Sequence, residues 1–258
     1  MTTKHVLLVE VAPHSPVSVF VPLSSAAAES FLLPPPTTLV GALAYAYLRT
    51  QGSVKELEDG ASAAARLLEK VDYAAAGVLN GYMVFRTVER VYQHPYLRSE
   101  HRREMGMAYT VAPRAAALYN RLLLLYITRD RDLARYAYGI TRVGRKEGLV
   151  SVLNVVCEEV GKVVSPSTAC STTFYFPKSI ADSLSGPHEV QRLPVLSRRN
   201  FEKQVRTIED LDREEFVVPK PPALSKLSVT LNKEGAVLRV ETSVGLVEVP
   251  VPRAAIEG

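Results

Sequence analysis

The chain has 258 residues, 47% of them hydrophobic and 22% charged, with a formal net charge of +4. That length holds one large core, or one domain with a smaller appendage; its two cysteines, Cys157 and Cys170, belong to no C-x-x-C pair or Cys/His cluster, which argues against a disulfide scaffold or a zinc-held fold. No apolar run reaches the roughly 18 residues of a membrane span, and the amino-terminal MTTKHVLLVEV is too short and too early interrupted by Glu10 for a signal peptide, so the expected location is the cytoplasm with no membrane partner.

Taken in chain order, residues 5–11 are rich in valine and leucine and predict a largely buried strand, continued by 17–21 after a proline-flanked turn. Residues 31–49 read FLLPPPTTLVGALAYAYLR. The prolines hold an extended lead-in, and Thr37 or Thr38 is placed to cap a helix. Leu39, Val40, Leu43, Tyr47 and Leu48 form its apolar stripe, while Gly41, Ala42, Ala44 and Ala46 predict a thin helix lying close against a sheet. Residues 54–71 carry apolar side chains at helical spacing and predict a surface helix. Residues 81–91 predict a strand with Tyr82, Val84, Arg86, Val88 and Arg90 on one face. Periodicity is lost from 92 to 113, a segment too long for an ordinary connection, which predicts a protruding arm. A buried strand (122–128), a short helix capped by Asp130 (130–138), a glycine-bearing loop (139–148) and a strand (149–156) follow.

This order predicts an α+β fold: a ferredoxin-like (RRM-like) βαββαβ core with an extra helix and an inserted arm, spanning residues 1–162. Residues 163–258 predict a small β-rich C-terminal lobe, with strands at 172–176, 190–196, 215–218, 227–231, 237–242 and 246–251 and hairpin turns at 232–235 and 243–245.

Charge is unevenly placed. Between Arg86 and Lys146 there are thirteen basic residues against five acidic ones, a local balance of +8, so the rest of the chain sums to −4. Seven of the twelve tyrosines share that window, pairing a field that attracts phosphate with rings on which bases stack. In GITRVGRKEG (139–148), three glycines suit close approach of a backbone to phosphate with consecutive N–H groups exposed, and Arg142, Arg145 and Lys146 supply charge. The spacing is not that of a Walker loop, so nucleotide hydrolysis drops out. There is no nucleophile elbow, HExxH or paired-carboxylate motif; Glu147 reads as the ion-pair partner of a neighbouring arginine, and Arg198, Arg199, Lys203 and Arg206 as a smaller basic run.

Pro34, Pro35, Pro36, Thr37, Thr38, Leu39, Gly41 and Ala42 resemble the PPPTT(L/I)xGA signature of the fifth family of CRISPR-associated proteins, the RAMP-superfamily subunit of Cascade. Residues 139–152 (GITRVGRKEGLVSV) resemble the GRKE segment of the same family, and the order and separation of the two motifs extend the likeness over roughly the first 155 residues; the form it most resembles is the archaeal type I-A. The resemblance implies a non-catalytic subunit that binds the 5′ handle of the guide crRNA and caps the backbone of an antiviral surveillance complex. Its implied partners are the handle, a Cascade backbone subunit, the large subunit and, indirectly, target DNA, and the arm would be the thumb-like hairpin that reaches the backbone subunit. The expected RNA-binding set is Arg86, Arg90, Tyr92, Tyr96, Arg98, Arg102, Arg103, Arg142, Gly144, Arg145 and Lys146, with no catalytic residue, metal ligand or cofactor. Because some members of the family cut RNA, His94 and His101 with Tyr92 or Tyr96 and Lys146 form an alternative, metal-independent endoribonuclease set. A protein-interaction scaffold with a basic arm is the third reading.

Overall fold

The computed structural model describes residues 3–19, 30–52, 55, 57–58, 60–93, 108–202, 208–220 and 226–257, with the backbone alone at 58, 87–93, 108–115 and 208. In chain order it contains β1 (His5–Pro13), α1 (Pro36–Thr50), the short pair β2 (Leu57–Glu58) and β3 (Ala61–Ser62), a 3-10 helix (Ala63–Glu69), the long strands β4 (Val71–Gln93) and β5 (Ala108–Thr128), α2 (Leu133–Ala137) and β6 (Val150–Glu159). There follow α3 (Val160–Val163), β7 (Val164–Ser165), β8 (Ala169–Thr172), β9 (Phe176–Pro177), β10 (Ala181–Ser185), β11 (His188–Pro194), β12 (Arg213–Pro219), β13 (Leu227–Leu231), β14 (Gly235–Thr242), β15 (Gly245–Pro252) and α4 (Arg253–Ile256).

The first sheet has the order β4–β5–β1–β6 with every pairing antiparallel. Strand β1 is apolar without alternation because both its faces are covered. Tyr126, paired with Leu7, points to α1 and donates its hydroxyl to Leu39 O at 2.9 Å. Glu10, on the alternate face, meets Ser243 in the β14–β15 turn. The C-terminal half forms three small antiparallel sheets, β10–β13–β8, β11–β12–β9 and β15–β14–β7. One apolar core runs from Leu7, Leu43 and Leu124 to Tyr175, Phe216 and Val240, so it crosses residue 162; a smaller cluster around Phe176, Val217, Leu227 and Val237 lies within the C-terminal half.

The triple proline is buried, and its carbonyls still need donors although its nitrogens carry no hydrogen. Buried Tyr175 donates to Pro34 O at 3.0 Å, and Pro35 O takes the N–H groups of Thr38 and Leu39 at 2.9 and 3.2 Å; just before the prolines, buried Tyr119 donates to Leu32 O at 2.7 Å. Helix α1 starts with Pro36 in its first position, where the missing N–H costs nothing, and Pro35 is its N-cap without a side-chain bond; Thr37 and Thr38 lie inside the first turn rather than capping it.

Several expectations are corrected. Among the described residues of 54–71 there is no α-helix: Gly60, at φ +78°, turns the β2–β3 hairpin, and the 3-10 helix, with Ser62 Oγ accepting from Ala64 N–H, follows. Residues 92–93 and 108–113 are paired strand, not aperiodic arm, with Tyr92 opposite Tyr109 and Gln93 opposite Ala108; residues 94–107 lie outside the described residues. Past a bulge at Asn80 and Gly81, both at positive φ, this two-stranded ladder runs about 35 Å beyond Tyr82. Val17 makes a single bridge to Ala117 rather than opening a strand at 17–21, of which 20–21 lie outside the described residues. Helix α2 has Asp132 as its N-cap; Asp130 Oδ1 accepts from Asp132 N–H while Oδ2 holds Lys70 at 2.5 Å. The turn at 243–245 closes the β14–β15 hairpin, but 232–235 carries the chain from one sheet to another, since β13 and β14 do not pair.

Candidate nucleic-acid interface

The loop at 139–148, between α2 and β6, is closed by its own backbone: Val143 N–H donates to Gly148 O (2.9 Å), Gly148 N–H to Arg145 O (2.9 Å) and Val150 N–H to Thr141 O (3.0 Å). Gly144 takes φ +78°, and a Cβ there would stand 2.9 Å from Ser18 O; Arg145 N–H donates to that same oxygen at 3.4 Å. The N–H groups of Val143, Arg145 and Gly148 are thus spent inside the protein. The run of exposed N–H groups that its glycines suggested is therefore interrupted at these three positions. Lys146 is 81% exposed, and Arg145 and Lys146 each lie 3.8 Å from Glu147, the pairing expected for that carboxylate.

Through Ser18 the loop is tied to the arm. Val17 exchanges backbone bonds of 2.8 and 2.9 Å with Ala117, Ala117 faces Val84 across the ladder, and exposed Arg86 follows two residues later opposite Ala115. Residues 17–18 thus join the loop that carries Arg142, Arg145 and Lys146 to the β4–β5 ladder that carries Arg86. The backbones of Arg90 and Tyr92 continue the same β4 strand; Tyr96, Arg98, Arg102, Arg103, His94 and His101 lie outside the described residues.

The tyrosine-rich window divides. Tyr119 and Tyr126 are core residues whose burial pushes their hydroxyls well above the ordinary tyrosine range, so they are not stacking platforms. Tyr138 is exposed, and Tyr136 packs edge-on against Tyr47 with centroids 5.0 Å apart.

A ring outside that window lies at the site. Tyr45, on the outer side of α1, has the guanidinium carbons of Arg142 and Arg49 at 5.2 and 5.4 Å from its centroid, and Arg49 donates to its hydroxyl at 2.5 Å. Gly41, expected to thin the helix against the sheet, is on the outer side as well, and a Cβ added there meets nothing within 4 Å. The signal was available in the sequence: Thr38, Gly41, Tyr45 and Arg49 recur at helical spacing opposite the buried Leu39, Val40 and Leu43.

No family model matches the chain. Over 172 residues it is 31% identical to CRISPR system aCascade subunit Cas5 1 of Saccharolobus solfataricus, covering 65% of this chain and 70% of that protein. The chain belongs to the Cas5 family. A second relative from the same organism, CRISPR-associated protein Cas5 3, is 30% identical over 181 residues, with 65% and 70% coverage. The fold of this Cas5 chain, mixed α/β and mostly antiparallel strands, is also that of a CRISPR protein from Archaeoglobus fulgidus: TM-score 0.59 at 18% identity, over 95% of this chain and 98% of the other. Among the described residues no helix is long and apolar enough to cross a membrane.

Proposed function

We infer that this Cas5 protein is a non-catalytic, cytoplasmic subunit of a type I-A Cascade that holds the 5′ handle of the guide crRNA and caps one end of the complex's backbone, beside a backbone subunit and the large subunit and so in indirect contact with target DNA. The observation that carries the reading is the junction at Ser18, which brings the cationic loop at 142–146 against the root of the β4–β5 arm. Family membership supports it, as does the assignment of the Saccharolobus relative as an aCascade subunit. The strand order β4–β5–β1–β6, with α1 and α2 in its two crossovers, supports a ferredoxin-like βαββαβ frame, and the paired β4–β5 ladder supports a thumb-like arm. Recognition is then phosphate neutralisation and shape, with bases stacked on exposed rings.

The test is affinity for labelled handle RNA as a function of salt. With about six phosphates neutralised, log K should fall against log salt with a slope of roughly −4 for a single strand, and the triple change Arg142→Ala, Arg145→Ala, Lys146→Ala should make it shallower by roughly 2. A flat salt response in the unmodified protein refutes the reading. Incubation with repeat RNA in chelator should leave the RNA intact; cleavage abolished by His94→Ala or His101→Ala would assign the endoribonuclease role instead.

A further inference from the structure

Two cavities lie side by side on the outer face of α1 and share Gly41, Tyr45 and Arg142. One, about 350 Å³, reaches Thr38, Gly144 and Arg145; the other, about 660 Å³, runs past Arg49 and Lys55 towards Leu57. Both are of the size that small-ligand sites have. Among the described residues their walls contain four cations and no carboxylate, although Arg145 also reaches Glu147 at 3.8 Å, outside the groove lining.

Gly41 is the telling residue. Glycine in mid-helix is destabilising relative to alanine, so its presence calls for a reason. At Gly77, in β4, and Gly139, in the turn after α2, the reason is close packing: a Cβ would stand 2.6 Å from the Phe174 ring and 3.1 Å from Ala46 Cβ respectively; Gly161, in the four-residue α3, also has nothing within 4 Å but lines neither cavity. At Gly41 there is only open space, in the floor common to both cavities, and its backbone is not in the left-handed region. Neither packing nor backbone geometry accounts for it; room for a flat ligand beside Tyr45 does.

We propose that this groove is a binding site for single-stranded RNA, in which one unstacked base lies over Gly41 against the Tyr45 ring, beside Arg142 at the junction of the two cavities, while the phosphates on its two sides meet Arg145 at one end and Arg49 and Lys55 at the other. The proposal rests on the RNA-binding reading above and adds to it a surface that neither the arm nor the outward side of the loop includes. A strand fits better than a free nucleotide because the two cavities join along the helix and carry cations at both ends, matching a base flanked by phosphates.

The test uses the full chain and a 5-iodouridine-substituted single-stranded RNA of the repeat sequence. Ultraviolet crosslinking should attach RNA to the α1 peptide that carries Tyr45. Gly41→Leu should melt at or above the temperature of the unmodified protein, since its side chain enters open space in a better helix former, yet bind RNA on the order of tenfold more weakly, the loss of one stacked base. Tyr45→Ala should weaken binding to a similar degree, which keeps the test intact if Gly41→Leu fails to fold. Crosslinks confined to β4 and the 142–146 loop, or affinities of both variants within about twofold of the unmodified protein, overturn the groove. If Arg86→Ala with Lys146→Ala weakens binding while Gly41→Leu and Tyr45→Ala do not, the groove fails and the RNA-binding reading stands. If the unmodified protein binds no RNA, both fall. Displacement of the RNA by AMP at equal concentration overturns the strand in favour of a mononucleotide site.

Discussion

Glu10 is a carboxylate with no solvent exposure on the central strand of the first sheet. It accepts Ser243 N–H and Ser243 Oγ at 2.6 Å and Asn154 Nδ2 at 3.1 Å, with Arg121 Nη1 at 3.7 Å. Burial works to raise its pKa, but the Ser243 and Asn154 hydrogen bonds and the Arg121 charge outweigh it and hold the carboxyl below its ordinary 4.5. Glu10→Gln keeps the volume and one acceptor oxygen, removes the charge, and turns an NH2 towards groups that are themselves donors. Breaking a buried charged network costs about 3–5 kcal/mol and one charged hydrogen bond about 1.5–3, so the expected loss for this partial break is about 2–3 kcal/mol. At pH 7 that moves the urea midpoint down by about 1 M with m unchanged. The pH dependence has a fixed sign. Because the folded pKa is depressed, the carboxylate's contribution is complete above the unfolded value and is lost as pH falls through the folded one, so the gap between the two proteins narrows on acidification below about pH 4.5. Unfolding free energies within about 0.5 kcal/mol of each other at pH 7, or a gap that widens with acid, would refute the assignment of Glu10 as the ionised tie between the sheet and the β14–β15 turn.

Gly77→Ala drives a Cβ to 2.6 Å from the fully buried Phe174 ring, so it should destabilise by about 1–3 kcal/mol, read as a lowered melting temperature; an unchanged melt would show that the C-terminal layer yields there. Burial pushes the Cys170 thiol up to about 12, so at pH 8 a disulfide-exchange reagent should leave Cys170 unlabelled in the native protein, by mass spectrometry, and modify it fully in urea.

What the sequence made legible is what local patterning encodes. The apolar run of β1, the alternation through β13, β14 and β15, and the proline-led start of α1 all emerged within a residue or two, because buried strands and helix faces write their period into consecutive residues. Residues 54–71 misled for the same reason: the leucines and alanines have helical spacing, but Gly60 at positive φ turns the chain before a helix can form. The charged window does not hold as counted: Arg121 lies 3.7 Å from Glu10 and Arg129 2.8 Å from Asp72, so part of its charge is met within the protein. Tyr119 and Tyr126 count in it as aromatic surface, yet their hydroxyls go to carbonyls at Leu32 and Leu39, a demand set by the proline segment and α1 some 87 residues away in sequence. No local pattern reports such a partner.

Helix α1 shows where that limit bears on function. Its inner face is dictated by the sheet: Leu39, Val40 and Leu43 are fully buried, and any polar substitution there would cost core stability. Its outer stripe carries no such constraint, since Thr38, Gly41, Tyr45 and Arg49 pack on little and are free to be chosen for something else. From sequence, the small residues at 41, 42, 44 and 46 look alike, and all four suggest close approach to a neighbour. Three of them are buried and fit that account. The fourth is its opposite, a glycine facing empty space between an arginine-flanked ring and a cationic loop, and only the positions of surrounding atoms distinguish a residue made small so that the protein can come near from one made small so that a ligand can.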